Sequence, residues 1–241
     1  MAWLPGMGAG WPSPPTVLGT VTFDTPQEST LSATRDTPSE CLERGLTELG
    51  LHSTLEQRHY LIQFINLLVR WNQSYNLTAV RDPMEMVTRH LLDSLAVTPY
   101  LLSSPVLDLG TGPGLPGIPL AIIQPASRFV LLDSNGKKIR FVRQAAMELG
   151  LTARVEVIQA RMESYRPREK FATIVSRAVA ELEALWQASA PLLTTPGRLL
   201  IMKGRRPEAE LTALSAPHPL CHRLTVPGLD ADRHLIEIRR D

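Results

Sequence analysis

VLDLGTGPGLPG, residues 106–117, sets the architecture. A short apolar run breaks into a glycine-rich loop, and an apolar segment from Ile118 to Ile123 with helical character follows at once. This strand–loop–helix order brings backbone close to a ligand at the carboxyl edge of a sheet. Downstream, the apolar runs FVLLD (129–133), VEVI (155–158), ATIVS (172–176) and RLLIM (198–202) alternate with amphipathic segments Lys137 to Leu149 and Glu181 to Leu192. Such alternation predicts βαβ units, an α/β fold around a parallel sheet. The last two runs, CHRLTV (221–226) and HLIEIR (234–239), are joined through a Pro-Gly turn too short for a helical crossover. They are therefore expected to pair antiparallel.

Upstream the period changes. Leu42, Leu46 and Leu49 share a helical face with Gly50 as a stop, and Ser53 with Glu56 has capping-box spacing ahead of Leu61, Phe64, Ile65, Leu68 and Trp71. A third helix opens at Asp82-Pro83, with Glu85 completing the cap, and carries Met86, Val87, His90, Leu91, Ser94 and Leu95 on one stripe. The first 40 residues hold six Pro, four Gly, four Ser and seven Thr without periodicity. The expected organisation is a disordered extension over 1–40, a helical region over 41–98 and a Rossmann-like core over 99–241, with 41–241 forming one compact unit.

With 241 residues, 44% hydrophobic and 20% charged, and mean hydropathy −0.03, the chain has the composition of a globular protein. It has no apolar run of bilayer length and no signal-peptide pattern at its start, so a cytoplasmic, non-membrane protein is expected. Cys41 and Cys221 form no paired motif, and the six histidines have no clean ligand spacing, so no metal is expected. Net charge is only +1, but it is unevenly spread: Met1 to Tyr60 has three basic and seven acidic residues, and Ser134 to Lys170 has nine basic and four acidic. Local basic faces of this kind fit a polyanionic partner or a solvated surface.

The loop glycines Gly112, Gly114 and Gly117 satisfy the dinucleotide spacing G-x-G-x-x-G. Asp108 argues against a dinucleotide, since a carboxylate there would repel a pyrophosphate. S-adenosylmethionine carries a sulfonium and an ammonium instead, which the same carboxylate would attract. Alternatively, Asp108 caps the loop amides, and the two roles are compatible. Asp133 ends the second strand where an acidic side chain accepts ribose hydroxyls or caps the next helix. Met162 and Glu163 follow the third strand, and Arg177 ends the fourth, as a site residue or as half of an ion pair. Lys203 ends the fifth and faces RNA phosphate or solvent. Lys137, Lys138, Arg140 and Arg143 form one basic helix face, with Ile139, Val142, Ala146 and Leu149 left for packing. At 5% aromatic residues, a broad stacking platform is not indicated.

Taken together, WNQSYNLTAVRDPMEMVTRHLLDSL (71–95), VLDLGTGPGLPGIPLAI (106–122), LLDSNGKKIRFVRQ (131–144), VSRAVA (175–180) and RHLIEI (233–238) resemble the RsmG family, also called GidB. These are bacterial small-subunit ribosomal RNA guanine-N7 methyltransferases. The resemblance runs from about Cys41 to the C-terminus, and its segments outside the glycine loop, Asn76-Leu77-Thr78 and Arg89-His90, are the more specific. It implies a class I methyltransferase fold, a Rossmann-like, mainly parallel seven-stranded sheet with an antiparallel last strand. The donor it implies is S-adenosylmethionine. The implied acceptor is the guanosine conventionally numbered 527 in 16S rRNA, within the small ribosomal subunit. By the same resemblance, Gly110, Leu115, Met162, Glu163 and Arg177 hold the cofactor with Asp133 as ribose acceptor; Asp108, Gly112 and Gly114 join them on the loop reading. Asn76, Arg81, Arg89, His90 and the basic residues 137–143 and 203 are the RNA candidates, and Arg177 has a positioning role. Guanine N7 has a free lone pair, so no dedicated general base is expected. The competing classes are a methyltransferase with a different RNA, protein or small-molecule acceptor, a dinucleotide-dependent oxidoreductase, and a non-catalytic RNA-binding protein.

Overall fold

The computed structural model describes residues 36–102, 104–177 and 180–240. Residues 36–241 form one compact unit. The extension expected over 1–40 lies outside the described residues as far as Arg35, but its last part is helical: α1 spans Pro38–Glu48, with Thr37 and Glu40 closing a capping box. The helix thus starts inside the stretch read as disordered, because the Thr-Pro-Ser-Glu cap looks like the preceding Pro/Ser/Thr run until the box is closed.

Helix α2, Leu55–Tyr75, is capped by Thr54 with Gln57, one residue later than the expected Ser53 and Glu56. Ser53 instead receives the Arg58 guanidinium through its carbonyl, at 3.1 Å. A short α3, Pro83–Met86, starts at Asp82, whose side chain accepts the Met84 N–H. Glu85 forms no box there and pairs with Arg89 at 3.5 Å. The chain then runs as a π-helix over Val87–Leu92 before α4, Asp93–Leu95. All six residues of the expected apolar stripe are buried, and so are Leu92 and Asp93.

The sheet follows: β1 Val106–Leu109, α5 Gly117–Ile123, β2 Phe129–Asp133, α6 Gly136–Glu148, β3 Val155–Gln159, β4 Phe171–Ser176, α7 Leu182–Ser189, β5 Leu193–Lys203, α8 Glu208–Ala213, β6 Leu220–Arg223 and β7 His234–Arg240. Strand order is β3-β2-β1-β4-β5-β7-β6, with β1 to β5 parallel and β7 antiparallel to both of its neighbours. The order reverses between β1 and β4, which opens the ligand crevice of a doubly wound sheet at that point.

Alternation along β1 sends Val106 into one hydrophobic cluster, with α1, α2, α5 and α6, and Leu107 and Leu109 into the other, with α7. Asp108 falls in register with Val106, two residues on, which turns it beneath the start of α5. That register decides its role in the site.

Candidate active site

A cleft of about 420 Å³ opens at the carboxyl ends of β1, β2 and β4. Its lining includes Gly110, Gly112, Leu115, Asp133, Met162, Glu163 and Arg177, seven of the nine expected cofactor positions, and also Lys138. Asp108 and Gly114 do not line it.

Asp108 is fully buried; its Oδ2 accepts the Thr111 hydroxyl at 2.6 Å and the Gly117 N–H at 2.7 Å. Burial pushes its carboxyl up to about 7, against the downward pull of these two bonds. The direct attraction to a cationic ligand expected of Asp108 is therefore corrected: its carboxylate fixes the loop from below and does not face the cleft. Gly117 has to be glycine for this contact, since a Cβ would overlap Leu131 Cδ2 and lie 2.6 Å from Asp108 Oδ2. Gly114 turns with φ of 86° against Ile118 and Val142, so it shapes the loop from the core side.

The loop spends all of its amides internally. Gly110 and Thr111 donate to Leu132 O, Gly112 to Asp133 Oδ2 at 2.8 Å, Gly114 and Leu115 to Thr111 O, and Gly117 to Asp108; Pro113 and Pro116 have no N–H. A pyrophosphate would find no free amide between residues 110 and 117. The glycine spacing of a dinucleotide site is present, but the donors that give that spacing its function are occupied. Asp133 ties the lip together, since its Oδ1 also accepts the Asn135 N–H at 2.7 Å. Each oxygen keeps lone-pair capacity toward the cleft.

Arg177 projects from the end of β4, and its Nη1 lies 3.3 Å from both Asp93 Oδ2 and the Arg89 carbonyl. The other oxygen of Asp93 accepts Arg233 Nε at 2.8 Å. Sequence reading missed Asp93 and Arg233 as partners. Their pairing across 140 residues leaves no signal in the sequence pattern. The alternatives for Arg177 merge here, because it lines the cleft and forms an ion pair. Ala178 and Val179 of the VSRAVA segment lie outside the described residues.

Among the RNA candidates, His90 is buried, its Nε2 2.9 Å from the Thr78 hydroxyl, and desolvation followed by the nearby Arg177 charge lowers it to about 4. It ties Thr78 to the 87–92 helix while Asn72 closes the 72–80 turn, and its burial is at odds with the expected contact with RNA. Lys203 is held within the protein: Nζ donates to both Glu210 oxygens, at 2.8 and 3.0 Å, and to Ala180 O at 3.1 Å. Glu210 Oε2 in turn accepts the Leu182 N–H that opens α7. Burial alone would raise the Glu210 carboxyl, but Lys203 and this amide hold it below its ordinary value. The pair thus holds Ala180 of the cleft wall and the first amide of α7, the helix that also carries the wall residue Leu185. Helix α8, which carries Glu210, was not expected from the sequence.

Asn76, Arg81, Arg89, Lys137, Arg140 and Arg143 are exposed, and Lys138 is half-buried beside the loop. Arg81 donates to Asn76 Oδ1 at 3.2 Å, and Arg143 reaches the Val157 carbonyl. Among the described residues, no group of three or more His, Cys, Asp and Glu is arranged to hold a metal, and no helix is long and apolar enough to cross a membrane.

Residues 57–236 match the family described as rRNA small subunit methyltransferase G. The chain is 56% identical to the ribosomal RNA small subunit methyltransferase G of Methylococcus capsulatus, over 82% of this chain and 97% of that protein. It is 48% identical to the protein of the same name from Marinobacter nauticus, over 83% of this chain and 94% of that one. Among solved structures, the S-adenosylmethionine-dependent methyltransferase SibL shares the fold, with a TM-score of 0.53 at 13% identity, over 84% of this chain and 74% of that one. With more than half of its length matched by the family model and these relatives covered nearly end to end, the chain belongs to the rRNA small subunit methyltransferase G family.

Proposed function

We propose that the chain transfers a methyl group from S-adenosylmethionine to N7 of a guanine in small-subunit ribosomal RNA, the guanosine numbered 527 of 16S rRNA. The observation that carries this reading over a dinucleotide enzyme is the loop at residues 110–117, whose amides are all internally bonded above a buried carboxylate. Such a loop suits a nucleoside ligand without phosphates. The 420 Å³ cleft is of the size that holds a small cofactor, and Gly112 leaves backbone bare at its floor.

Asp133 would hold the ribose hydroxyls, and Gly110, Leu115, Met162 and Glu163 would line the remainder of the cofactor. S-adenosylmethionine supplies a methyl carbon on a positively charged sulfur. Guanine N7 attacks with its own lone pair and loses no proton, which fits a cleft with no histidine among its described lining residues. The protein's contribution is orientation, with Arg177 and its Asp93 anchor fixing the β4 side of the cleft. Orientation of this kind supplies up to about 7–11 kcal/mol. The exposed cations at Arg81, Arg89, Lys137 and Arg140, with Lys138 at the cleft, face the RNA phosphates. A small-subunit acceptor places the reaction in the cytoplasm.

The test is transfer of labelled methyl to small ribosomal subunits lacking the mark, followed by digestion and mass mapping. Label in 7-methylguanosine at one site is expected. Label in another nucleoside or in protein would overturn the acceptor.

A further inference from the structure

Helix α2 ends in a row of aromatic rings that runs from the core to the surface. Phe141 of α6 is fully buried; the Trp71 ring lies 5.6 Å from it, and Tyr75 stacks on Trp71 at 5.2 Å with 29° between the planes. Tyr75 gives one face to Trp71 and is still 39% exposed. Among the described residues it is one of only four large hydrophobic side chains left exposed. Packing on Trp71 orients the ring in advance, so a ligand that stacks on it orders little else.

The surroundings supply the other half of the chemistry. Phe141 lies one helical turn from Lys137 and Lys138, on the same side of α6. Lys138 Nζ would lie only 3.9 Å from a Cβ on Gly112, at the cleft floor. Beside Tyr75, Asn76 turns left-handed with φ of 47° and holds the exposed Arg81 guanidinium at 3.2 Å. A flat aromatic face with a cation held at the neighbouring Asn76 matches an unpaired nucleotide: base on the ring, phosphate on the charge.

We propose that Tyr75 is a stacking platform for an unpaired base of the RNA substrate. This inference rests on the RNA acceptor proposed above. It places on one ring a contact for which the 5% aromatic content offers no broad surface.

The experiment measures binding and methylation of protein-free small-subunit ribosomal RNA and of unmethylated subunits by wild type, Tyr75→Ala, Tyr75→Leu and Tyr75→Phe. Loss of one base stack weakens RNA binding roughly 5- to 100-fold in Tyr75→Ala. Tyr75→Leu, which keeps apolar packing on Trp71, is expected to lose as much, and Tyr75→Phe to bind as wild type. The rise is expected in KM for RNA, with kcat and cofactor Kd unchanged. The slope of log Kd against log salt stays at the wild-type value, because an uncharged ring releases no counterions. Equal RNA affinity of wild type and Tyr75→Ala would overturn the platform. So would weak binding by Tyr75→Phe, or a loss confined to whole subunits, which would assign the ring to a ribosomal protein. A wild type that methylates RNA normally beside an unaffected Tyr75→Ala defeats this inference alone; a wild type that neither binds nor methylates RNA defeats the proposed function and this inference with it.

Discussion

Asp93 divides its carboxylate between Arg177, 3.3 Å from Oδ2, and Arg233, 2.8 Å from Oδ1. The aspartate side chain is 5% exposed and the two arginines about a quarter, so three elements distant in sequence are joined through one nearly buried charge. Removing it leaves two guanidinium groups unpaired at the cleft edge. Asp93→Ala is expected to cost about 3 kcal/mol, the lower end for a broken buried pair because the arginines keep some solvent. For a protein of this size that is a melting temperature roughly 6–12 °C lower in calorimetry. An unchanged melting temperature would show that the triad carries no stability.

The pH dependence of stability should carry the signature of Asp108. Its carboxyl is raised to about 7 by burial and by the like charge of Asp133, against bonds from Thr111 and Gly117 and the field of Arg177. A raised folded-state pKa means that the folded form binds the proton more tightly than the unfolded chain. The stabilisation is thus complete below the unfolded value near 3.8 and is lost as pH rises through 7. Asp108→Asn keeps an acceptor for Thr111 and Gly117 without the ionisation. Urea melts of wild type and variant between pH 4 and 8 should diverge steadily in the variant's favour, by about 4 kcal/mol across the window. Parallel curves would mean that Asp108 titrates normally.

Much of this was legible in the sequence, and what was not has common physical causes. All seven strands and the crossover helices α5, α6 and α7 follow apolar runs and their period, which local burial writes into the sequence. Strand β5 begins earlier than expected, at Leu193, which pairs with Phe171 before an irregular stretch at Thr194 to Pro196 interrupts the ladder and Gly197 resumes it against Arg240. Helix α8 is six polar-rich residues with none buried, below what periodicity can register. The antiparallel pairing of β6 and β7 could be expected from the short turn, but not the insertion of β7 beside β5. Strand-end positions revealed Asp133 and Arg177, since the carboxyl edge of an α/β sheet is where ligands bind. The partners of such strand-end residues were hidden: Asp93 reaches Arg177 and Arg233 across more than 80 residues, and Glu210 meets Lys203 from a helix too short and polar to register, so neither pair leaves a periodic trace. Of the two roles read for Asp108, the cap of the loop is the one its bonds form; the choice was hidden because a residue type does not say which way its strand register turns it.

Salt dependence separates the two roles considered for Lys203. A lysine contacting phosphate adds close to one unit to the slope of log affinity against log salt. With Nζ held by Glu210 and Ala180 O, Lys203→Ala is expected to leave the RNA slope at the wild-type value while raising KM for the cofactor, because the wall at Ala180 and Leu185 loosens. Lys137→Ala, on an exposed basic face, should lower the slope by about one. A reduced slope in Lys203→Ala would restore the RNA contact.

Asp133 closes the glycine loop as well as facing the cleft, and its replacement should expose both roles. Losing a charge-assisted hydrogen-bond acceptor costs about 1.5–3 kcal/mol, so Asp133→Ala should weaken cofactor binding roughly 10- to 150-fold by calorimetry. The same oxygens accept the Gly112 and Asn135 amides at 2.8 and 2.7 Å, so part of that loss comes from a loop no longer held in shape before any ligand arrives. Amide hydrogen exchange in the cofactor-free protein distinguishes the contributions. Gly112 N–H should exchange faster in Asp133→Ala, while Gly117 N–H, held by Asp108, should keep its protection. If Gly112 stays protected and affinity still falls, the carboxylate acts on the ligand alone. If affinity is unchanged, Asp133 is only a loop anchor, and the ribose contact belongs to another residue of the cleft.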